Sequence, residues 1–319
     1  MPNDQIKSFH HYVPKFLLEY FSENGKLWVY DRKNNEYRLQ PIISTTGDKA
    51  FYTFMDKDGN KSDEIEKLFT QIEGNAATVI RSINTDKKTL TPKEKSDLAL
   101  FVTATYLRTP EFIENNKKSY ELLAKEVMSM IHTNKEYHDH VWDELIRTGK
   151  IPKDSKGKEK TRQVFIKKDY DLIVPKEHSL SMMVKLIFDS YRYIVQMEWK
   201  ILIAPPKKAF ITSDKPAYTA NINPTDDFYG NSIGLFAPGC ETFCVLTPQV
   251  AVYLSQTHNP NVADIYEAKE EFVDFLNKTT AITCYRFLLS HSQLLLKKWV
   301  EKTKLKTRGV YHKVIVDSG

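Results

Sequence analysis

The order of two hydrophobic periods along the chain constrains its fold more than any other feature of the sequence. Residues 27–31 (LWVYD) and 37–40 (YRLQ) flank an Asn-rich turn, which predicts a β-hairpin. From Ser62 onward apolar residues recur every three or four positions, and helical patterns continue to about 195. Strand-like apolar runs return from Glu198. This order predicts an α+β fold, in which a helical subdomain packs against a central mixed or antiparallel sheet.

Chain length and composition bear on the number of domains. With 319 residues, 41% of them hydrophobic, the chain can bury one large core or two small ones. We predict a single α+β domain over 1–319, with its helical portion at about 62–195. Eight Lys and Arg residues lie among Asp, Ser and Gly at 148–168, which predicts an exposed basic loop.

Caps and periodicity place the remaining elements. Residues 91–94 (TPKE) form a capping box with proline at the first helical position, so a helix is predicted to begin there and to end near Arg108. Further helices are predicted at 111–132, 178–195, 264–280 and 290–304. Further strands are predicted at 51–54, 198–204, 209–212, 242–247, 250–255 and 281–288.

Several classes of protein are disfavoured by composition. No apolar run reaches the eighteen or so residues of a membrane span, and the first residues lack the apolar core of a secretory signal. Three cysteines are too few for a disulfide framework, which agrees with a reducing compartment. We therefore expect a cytoplasmic location and no membrane partner. The oligomeric state does not follow from the sequence.

The net charge of +5 leaves nucleic acid open as a partner. Besides 148–168, a second basic cluster occupies 297–308. Either cluster is a candidate contact for a phosphate backbone, although a run of charge is ordinarily a solvated surface.

A histidine pair precedes the first predicted helix. His10 and His11 lie in an extended stretch before Pro14, a residue suited to the first position of a helix. The positive end of that helix disfavours imidazolium and attracts anions, so neutral imidazoles there are candidates to bind a metal, a phosphate or a proton. In the structural alternative, His11 donates to a backbone carbonyl and packs against the hairpin, while His10 faces water.

Two charged residues lie on predicted helical faces that are otherwise apolar. Glu73 is at the rim of one stripe and Arg108 ends another. Partial burial raises the pKa of a carboxyl unless a cation pairs with it, and Arg108 is a natural partner. A structural ion pair between the two helices is the favoured interpretation, and a catalytic Glu73 with Arg108 as a binding residue is the alternative.

A polar pair follows the predicted strand that precedes Pro216. Ser213 and Asp214 stand at the end of that strand, where ligand-binding and catalytic groups are often placed. Asp214 is the strongest candidate for an essential residue, and its structural alternative is a turn in which the carboxylate caps local backbone N–H groups. Ser213 is a weaker nucleophile candidate because it lacks the G-x-S-x-G elbow.

These residues suggest one composite site. If His11, Asp214 and Glu73 converge, a histidine with two carboxylates suits a divalent ion such as Mg²⁺ or Mn²⁺ and phosphodiester chemistry. Asn277 would add a neutral oxygen or a donor. The catalytic hypothesis requires that these groups meet within coordination or hydrogen-bond reach.

The motifs together resemble a known family. The chain is similar to the bacterial domain-of-unknown-function family numbered 4238, and the similarity spans most of its length. The islands that carry the resemblance are HHYVPKFLLEYF at 10–21, LWVYDR at 27–32, the helix around Glu73, LALFVTATYLRTP at 98–110, FITSDKPA at 210–217, and Asn277. Since some relatives are linked to single-gene defence against phage, the resemblance implies a defence role and no particular chemistry.

Three hypotheses follow. In the first, the protein is a defence effector that acts catalytically on nucleic acid or nucleotides, with His11, Glu73 and Asp214 as catalytic groups. In the second, it is a non-catalytic sensor that binds a phage component or a small ligand through the same residues. In the third, the polar residues are purely structural and tie the N-terminal segment to the late strands.

Overall fold

The computed structural model describes residues 9–55, 59–221, 234–237, 239–257 and 264–305. Lys306 and Arg308 of the second basic cluster lie outside this part of the chain.

The chain divides into two compact units. Unit 1 comprises Met1–Pro110 and Met183–Gly319, and unit 2 comprises Glu111–Met182. A division by compactness does not test whether the two units fold independently, so the single domain over 1–319 stays a prediction.

The strands and helices of the described residues are numbered in chain order. The strands are β1 (Phe9–His11), β2 (Lys26–Asp31), β3 (Glu36–Pro41), β4 (Gly47–Lys49), β5 (Phe54–Met55), β6 (Lys61–Ser62), β7 (Glu198–Ile203), β8 (Thr212–Ser213), β9 (Ala217–Asn221), β10 (Cys240–Val245), β11 (Val250–Ser255), β12 (Ile265–Glu267) and β13 (Phe287–Ser290). The helices are α1 (Lys15–Glu19), α2 (Glu64–Asp86), α3 (Pro92–Leu107), α4 (Pro110–Thr133), α5 (Lys135–Arg147), α6 (Lys158–Lys167), α7 (Lys176–Gln196), α8 (Glu270–Thr283) and α9 (Gln293–Thr303).

The described residues of unit 1 form two principal sheets, so the fold is α+β as predicted, with two sheets in place of one central sheet. The first has the strand order β3-β2-β13-β8 and is antiparallel throughout. The second has the order β12-β7-β11-β10-β9 and is mixed, because β12 runs parallel to β7. The predicted hairpin is confirmed as β2 and β3, while the short strands β9 and β12 escaped the sequence patterns.

Helices α8 and α9 cover the first sheet. Their apolar faces meet β2 and β13 in a buried cluster, which is one core of unit 1. Its fully or nearly fully buried members are Tyr30, Ile211, Ala281, Cys284, Leu288, Leu296, Trp299, Val300 and Leu305. The cluster includes residues far apart in the sequence, so the first sheet joins the two ends of the chain.

The predicted start of α3 is confirmed in detail. The Glu94 N–H donates to the Thr91 hydroxyl at 3.3 Å, and the Thr91 N–H donates to the Glu94 carboxylate at 2.9 Å. Pro14 differs from its expectation, because with φ −55° and ψ 134° it is the N-cap of α1 rather than its first helical residue.

The strand predicted at 51–54 is mostly a turn. Only Phe54 and Met55 pair, with Lys61–Ser62. The aromatic residues suggested a ladder, but the Tyr52 N–H donates to the side chain of His10 instead of to a neighbouring strand.

The basic segment predicted as an exposed loop over 148–168 contains helix α6 at 158–167. Gly157 adopts φ 101°, a left-handed conformation suited to glycine, and the helix follows at once. Glu159 then accepts hydrogen bonds from Arg162 and Gln163 within the helix. These contacts between residues three and four positions apart stabilise α6. The exposed loop is therefore limited to the part of 148–168 that precedes the helix.

A buried histidine pair lies inside unit 2. The Nδ1 atoms of His132 and His138 are 2.8 Å apart, and Nε2 of His138 lies 2.9 Å from the Lys158 carbonyl. Because a carbonyl only accepts, His138 donates from Nε2 and its Nδ1 accepts the proton of His132. The contact between the two Nδ1 atoms has room for one proton, so the two rings cannot both be imidazolium.

We expect this pair to make unit 2 less stable as the pH falls. Burial, and then His138 and Arg162, lower the pKa of His132 below its usual 6.5. The unfolded chain therefore binds a proton that the folded chain does not, and the free energy of unfolding decreases below about pH 6.5. Urea unfolding across this range should show a weaker pH dependence for His132→Gln than for the wild type. The exposed control His140→Gln should keep the wild-type dependence, and equal dependence in all three proteins would contradict the prediction.

Candidate functional site

The two signature histidines point to opposite sides of β1. His10 is completely buried and His11 is half-buried, as the alternation of an extended segment requires. The structural alternative was wrong to have His10 facing water, while its other part, His11 donating to a backbone carbonyl, is confirmed. His10 therefore faces the core, and His11 is the imidazole that a ligand can approach.

His10 holds the turn that follows β4. Its Nδ1 accepts the Tyr52 N–H at 2.8 Å, and its ring stacks on the Tyr52 ring with centroids 5.7 Å apart. The Tyr52 hydroxyl in turn donates to the Arg108 carbonyl at 3.1 Å. These contacts link β1 to the end of α3, so His10 has a structural part in this network.

His11 is fixed by one ring nitrogen. Its Nδ1 lies 2.9 Å from the Thr45 carbonyl, so Nδ1 carries the proton and Nε2 is the nitrogen able to accept one. Burial lowers the pKa of His11, while the Thr45 hydrogen bond and the charge of Glu73 oppose that shift and Arg108 adds to it. The imidazole is thus within electrostatic reach of both members of the predicted ion pair.

The predicted Glu73–Arg108 pair is confirmed. Nη1 of Arg108 lies 2.6 Å from Oε1 of Glu73, and its guanidinium lies over the Phe69 ring at 5.0 Å. Arg108 is 1% exposed, whereas the Glu73 side chain is 25% exposed. Within the described residues, Nε and Nη2 of Arg108 have no hydrogen-bond partner. A buried cation with two unused donors therefore lies behind a carboxylate that solvent can reach.

Asp214 is directed at the backbone of the neighbouring strand. Oδ1 accepts the Tyr285 N–H at 2.9 Å, and Oδ2 accepts the N–H groups of Arg286 at 2.6 Å and Phe287 at 2.9 Å. Burial raises the pKa of Asp214 to about 6 against the pull of these hydrogen bonds. The structural alternative predicted that Asp214 caps N–H groups in its own turn. It does cap N–H groups, but they lie more than 70 residues away in the sequence.

Ser213 and Asn277 also bond to the backbone. The Ser213 hydroxyl accepts the Lys215 N–H at 3.0 Å and donates to the Lys215 carbonyl at 3.1 Å. The Asn277 amide accepts the Ile211 N–H at 2.8 Å and donates to the Ala209 carbonyl at 2.9 Å. Both side chains hold the chain around β8, and their hydrogen bonds are those of structural residues.

Tyr12 is within electrostatic reach of both groups of polar residues. Burial raises the pKa of its hydroxyl strongly, with Asp214 and Tyr52 adding to the shift and Arg286 opposing it. Asp214 and Tyr52 therefore both act on the Tyr12 hydroxyl. The predicted residues form two clusters, one around Arg108 and one around Asp214.

The predicted metal centre is not formed. Across the described ranges, no three His, Cys, Asp or Glu side chains are placed to hold a metal ion. His11, Glu73 and Asp214 all belong to the described residues, so the Mg²⁺ or Mn²⁺ site built on them is corrected. The physical reason is that Asp214 already accepts three N–H groups of about four that a carboxylate can take.

A buried carboxylate that sequence reasoning missed completes the second cluster. Asp31 is fully buried and accepts a bidentate pair of hydrogen bonds from Arg286, at 3.1 and 2.8 Å, and a third from Arg38 at 3.2 Å. Burial would raise the pKa of Asp31, but the hydrogen bonds led by Arg286 outweigh it and hold the pKa below its usual value. The sequence feature that could have identified Asp31 is a carboxylate directly after the hydrophobic residues of a predicted strand.

The comparison with protein-family models identifies the relatives of this chain. The model described as a protein of unknown function (DUF4238) matches residues 10–294, which is most of the chain. The chain belongs to the DUF4238 family. No curated protein and no solved structure matches it. In this DUF4238 protein, none of the helices in the described ranges combines the length and apolar character needed to cross a membrane.

We expect Asp214→Ala to destabilise this DUF4238 protein by about 3 kcal/mol or more, because it leaves three buried N–H groups without an acceptor. Chemical denaturation of the wild type and the variant measures the loss. Asp189→Ala is the matched control, since the Asp189 carboxylate is 57% exposed and, within the part of the chain that the structure describes, pairs with Lys185 alone, one helical turn away. A variant as stable as this control would contradict the structural role of Asp214.

Proposed function

We propose that this protein is a bacterial effector of phage defence that hydrolyses a phosphate ester of a nucleotide or nucleic acid at a site formed by His11, Glu73 and Arg108. The defence role rests on the family resemblance. The chemistry rests on one observation: among the described residues the His11 imidazole is hydrogen-bonded through Nδ1 alone, and it lies within electrostatic reach of the Glu73–Arg108 pair. Asp214, which the sequence suggested as catalytic, supports this site through the fold alone.

His11 has the properties of a general base. A lowered pKa keeps the imidazole neutral near pH 7, and the bond to Thr45 fixes the tautomer whose Nε2 accepts a proton. In the proposed reaction Nε2 takes a proton from water and the water oxygen bonds to phosphorus. The ester P–O bond breaks, and the imidazolium returns the proton to the departing oxygen.

Arg108 supplies positive charge beside the proposed site. The guanidinium is buried, so it acts on a bound phosphate through its charge and not through direct hydrogen bonds, and the low dielectric around it strengthens that attraction. Glu73 holds the guanidinium through Nη1 and is the partly exposed member of the pair. Its carboxylate would also order a water or a divalent ion carried in by the substrate phosphates.

We expect His11→Gln to lower kcat about 100-fold or more, because the general base is lost. The assay presents purified protein with nucleoside mono-, di- and triphosphates, DNA and RNA, each with Mg²⁺ or Mn²⁺, and quantifies the products. His140→Gln in unit 2 is the matched control and should keep full activity. Plaque formation on a bacterial lawn that expresses each protein tests the defence role, and His11→Gln should lose the protection.

Two outcomes would overturn the hydrolase proposal. Turnover that persists in a correctly folded His11→Gln protein would remove His11 from the chemistry. Tight binding of a substrate from the panel without any turnover, weakened in His11→Gln and Glu73→Gln, would instead support the alternative of a non-catalytic sensor.

We expect the activity to persist to lower pH than an ordinary histidine would allow. The base form of His11 is required, and burial lowers its pKa below 6.5. The value of kcat/KM should therefore rise with pH, with the midpoint of the rise below about pH 6.5. A profile of kcat/KM against pH measures this, and a rise centred above 6.5 would contradict the assignment of His11.

A further inference from the structure

A second cavity in unit 1 shares no residue with the His11 site. It has a volume of about 450 Å³ and lies beside β7, at the ends of α7 and β11 and the start of α3. Cavities that bind small molecules span about 300–1,000 Å³, so its size suits a compact organic ligand. Its walls combine apolar side chains with a few polar groups, and the lining residues used below are Leu90, Lys95, Gln196, Met197, Trp199 and Asp264.

Lys95 offers unused hydrogen-bond donors in this cavity. Its ammonium makes one hydrogen bond among the described residues, to the Met197 carbonyl at 3.1 Å. An ammonium has three donors, so two remain for a ligand. Partial burial lowers the pKa of Lys95, with the charge of Asp264 opposing that shift. An anionic group that entered the cavity would therefore gain a partly desolvated cation as its partner.

Asp264 provides the opposite charge. Its carboxylate is 71% exposed and lies 3.7 Å from Lys200, whose closer partner is Glu198 at 2.7 Å. Because Lys200 is engaged by Glu198, Asp264 keeps capacity for a second cation. The Gln196 amide, also on the cavity wall, is exposed and can donate or accept.

An apolar wall completes the cavity. Met197 and Trp199 are nearly fully buried, and Leu90 is half-buried on the connection between α2 and α3. A ligand that contacted Lys95, Asp264 and the apolar wall at once would carry an anionic group, a cationic group and an apolar group. Those are the parts of an amino acid with a hydrophobic side chain.

We propose that this cavity binds a free amino acid with an apolar side chain. Its carboxylate accepts from Lys95, its ammonium faces Asp264, and its side chain packs against Leu90, Met197 and Trp199. The ligand is recognised as a zwitterion, so molecules that carry only one of the two charges bind more weakly.

Isothermal titration of the full chain with L-phenylalanine, L-leucine and L-methionine tests the proposal. At least one should bind with a Kd of about 1 mM or tighter. L-phenylalaninamide lacks the carboxylate and 3-phenylpropionate lacks the ammonium, and each should bind about 10-fold more weakly than L-phenylalanine or worse. No measurable binding of the three amino acids would overturn the proposal, as would equal affinity for either single-charge analogue.

Variants locate the binding. Lys95→Met and Asp264→Asn should each weaken it about 10-fold, because each removes one charged partner. Lys93→Met is the matched control, since that lysine is 81% exposed on the same helix and should leave affinity unchanged. If Lys95→Met fails to fold, Leu90→Trp fills the cavity and should abolish binding. Affinity that survives in a folded Lys95→Met or in Leu90→Trp would overturn the site.

Discussion

The carboxylate of Asp214 is the contact on which the architecture of the first sheet depends. It collects three successive N–H groups at the start of β13, and the Asp214 N–H returns a bond to the Phe287 carbonyl at 2.9 Å. The middle of those three residues, Arg286, then carries its guanidinium to the buried Asp31 of β2. Asp214 therefore fixes the backbone of Arg286, the residue whose side chain pairs with the buried Asp31. β2 and β13, which are far apart in the sequence, are held together in part by these contacts. Loss of Asp214 would therefore weaken both the backbone at the start of β13 and its link to Asp31.

The signature at the N-terminus has a similar structural logic. His10 accepts the Tyr52 N–H, and the Tyr52 hydroxyl donates to the Arg108 carbonyl. The Arg108 side chain in turn pairs with Glu73 on α2. Each link satisfies a buried polar group that would otherwise cost stability. The family resemblance is thus carried in large part by residues that hold the fold. A variant in this network that abolishes function must be checked for stability before any chemistry is inferred from it.

A substrate can contact only those polar groups that solvent can reach. His11 and Glu73 meet that condition near the buried cation of Arg108, while Asp214, Ser213 and Asn277 are engaged by backbone atoms. The candidate site is accordingly smaller than the set of residues proposed from the sequence. The proposed function assigns it acid–base chemistry on an anion, and among the described residues no three protein ligands are placed to hold the predicted metal ion.

The sequence by itself determined the elements whose signals are local. The hairpin of β2 and β3, the apolar stripe of α2 and the capping box of α3 all depend on residues within a few positions of one another, and all were predicted. The Glu73–Arg108 pair was also predictable, because a charge on an apolar face needs a partner. Only the tertiary structure decided that His10 is buried and His11 accessible, that the Tyr52 N–H turns to a side chain, and that Asp214 faces β13. Those outcomes depend on contacts between residues tens of positions apart, and hydrophobic periodicity carries no information about which distant backbone groups a buried side chain will meet.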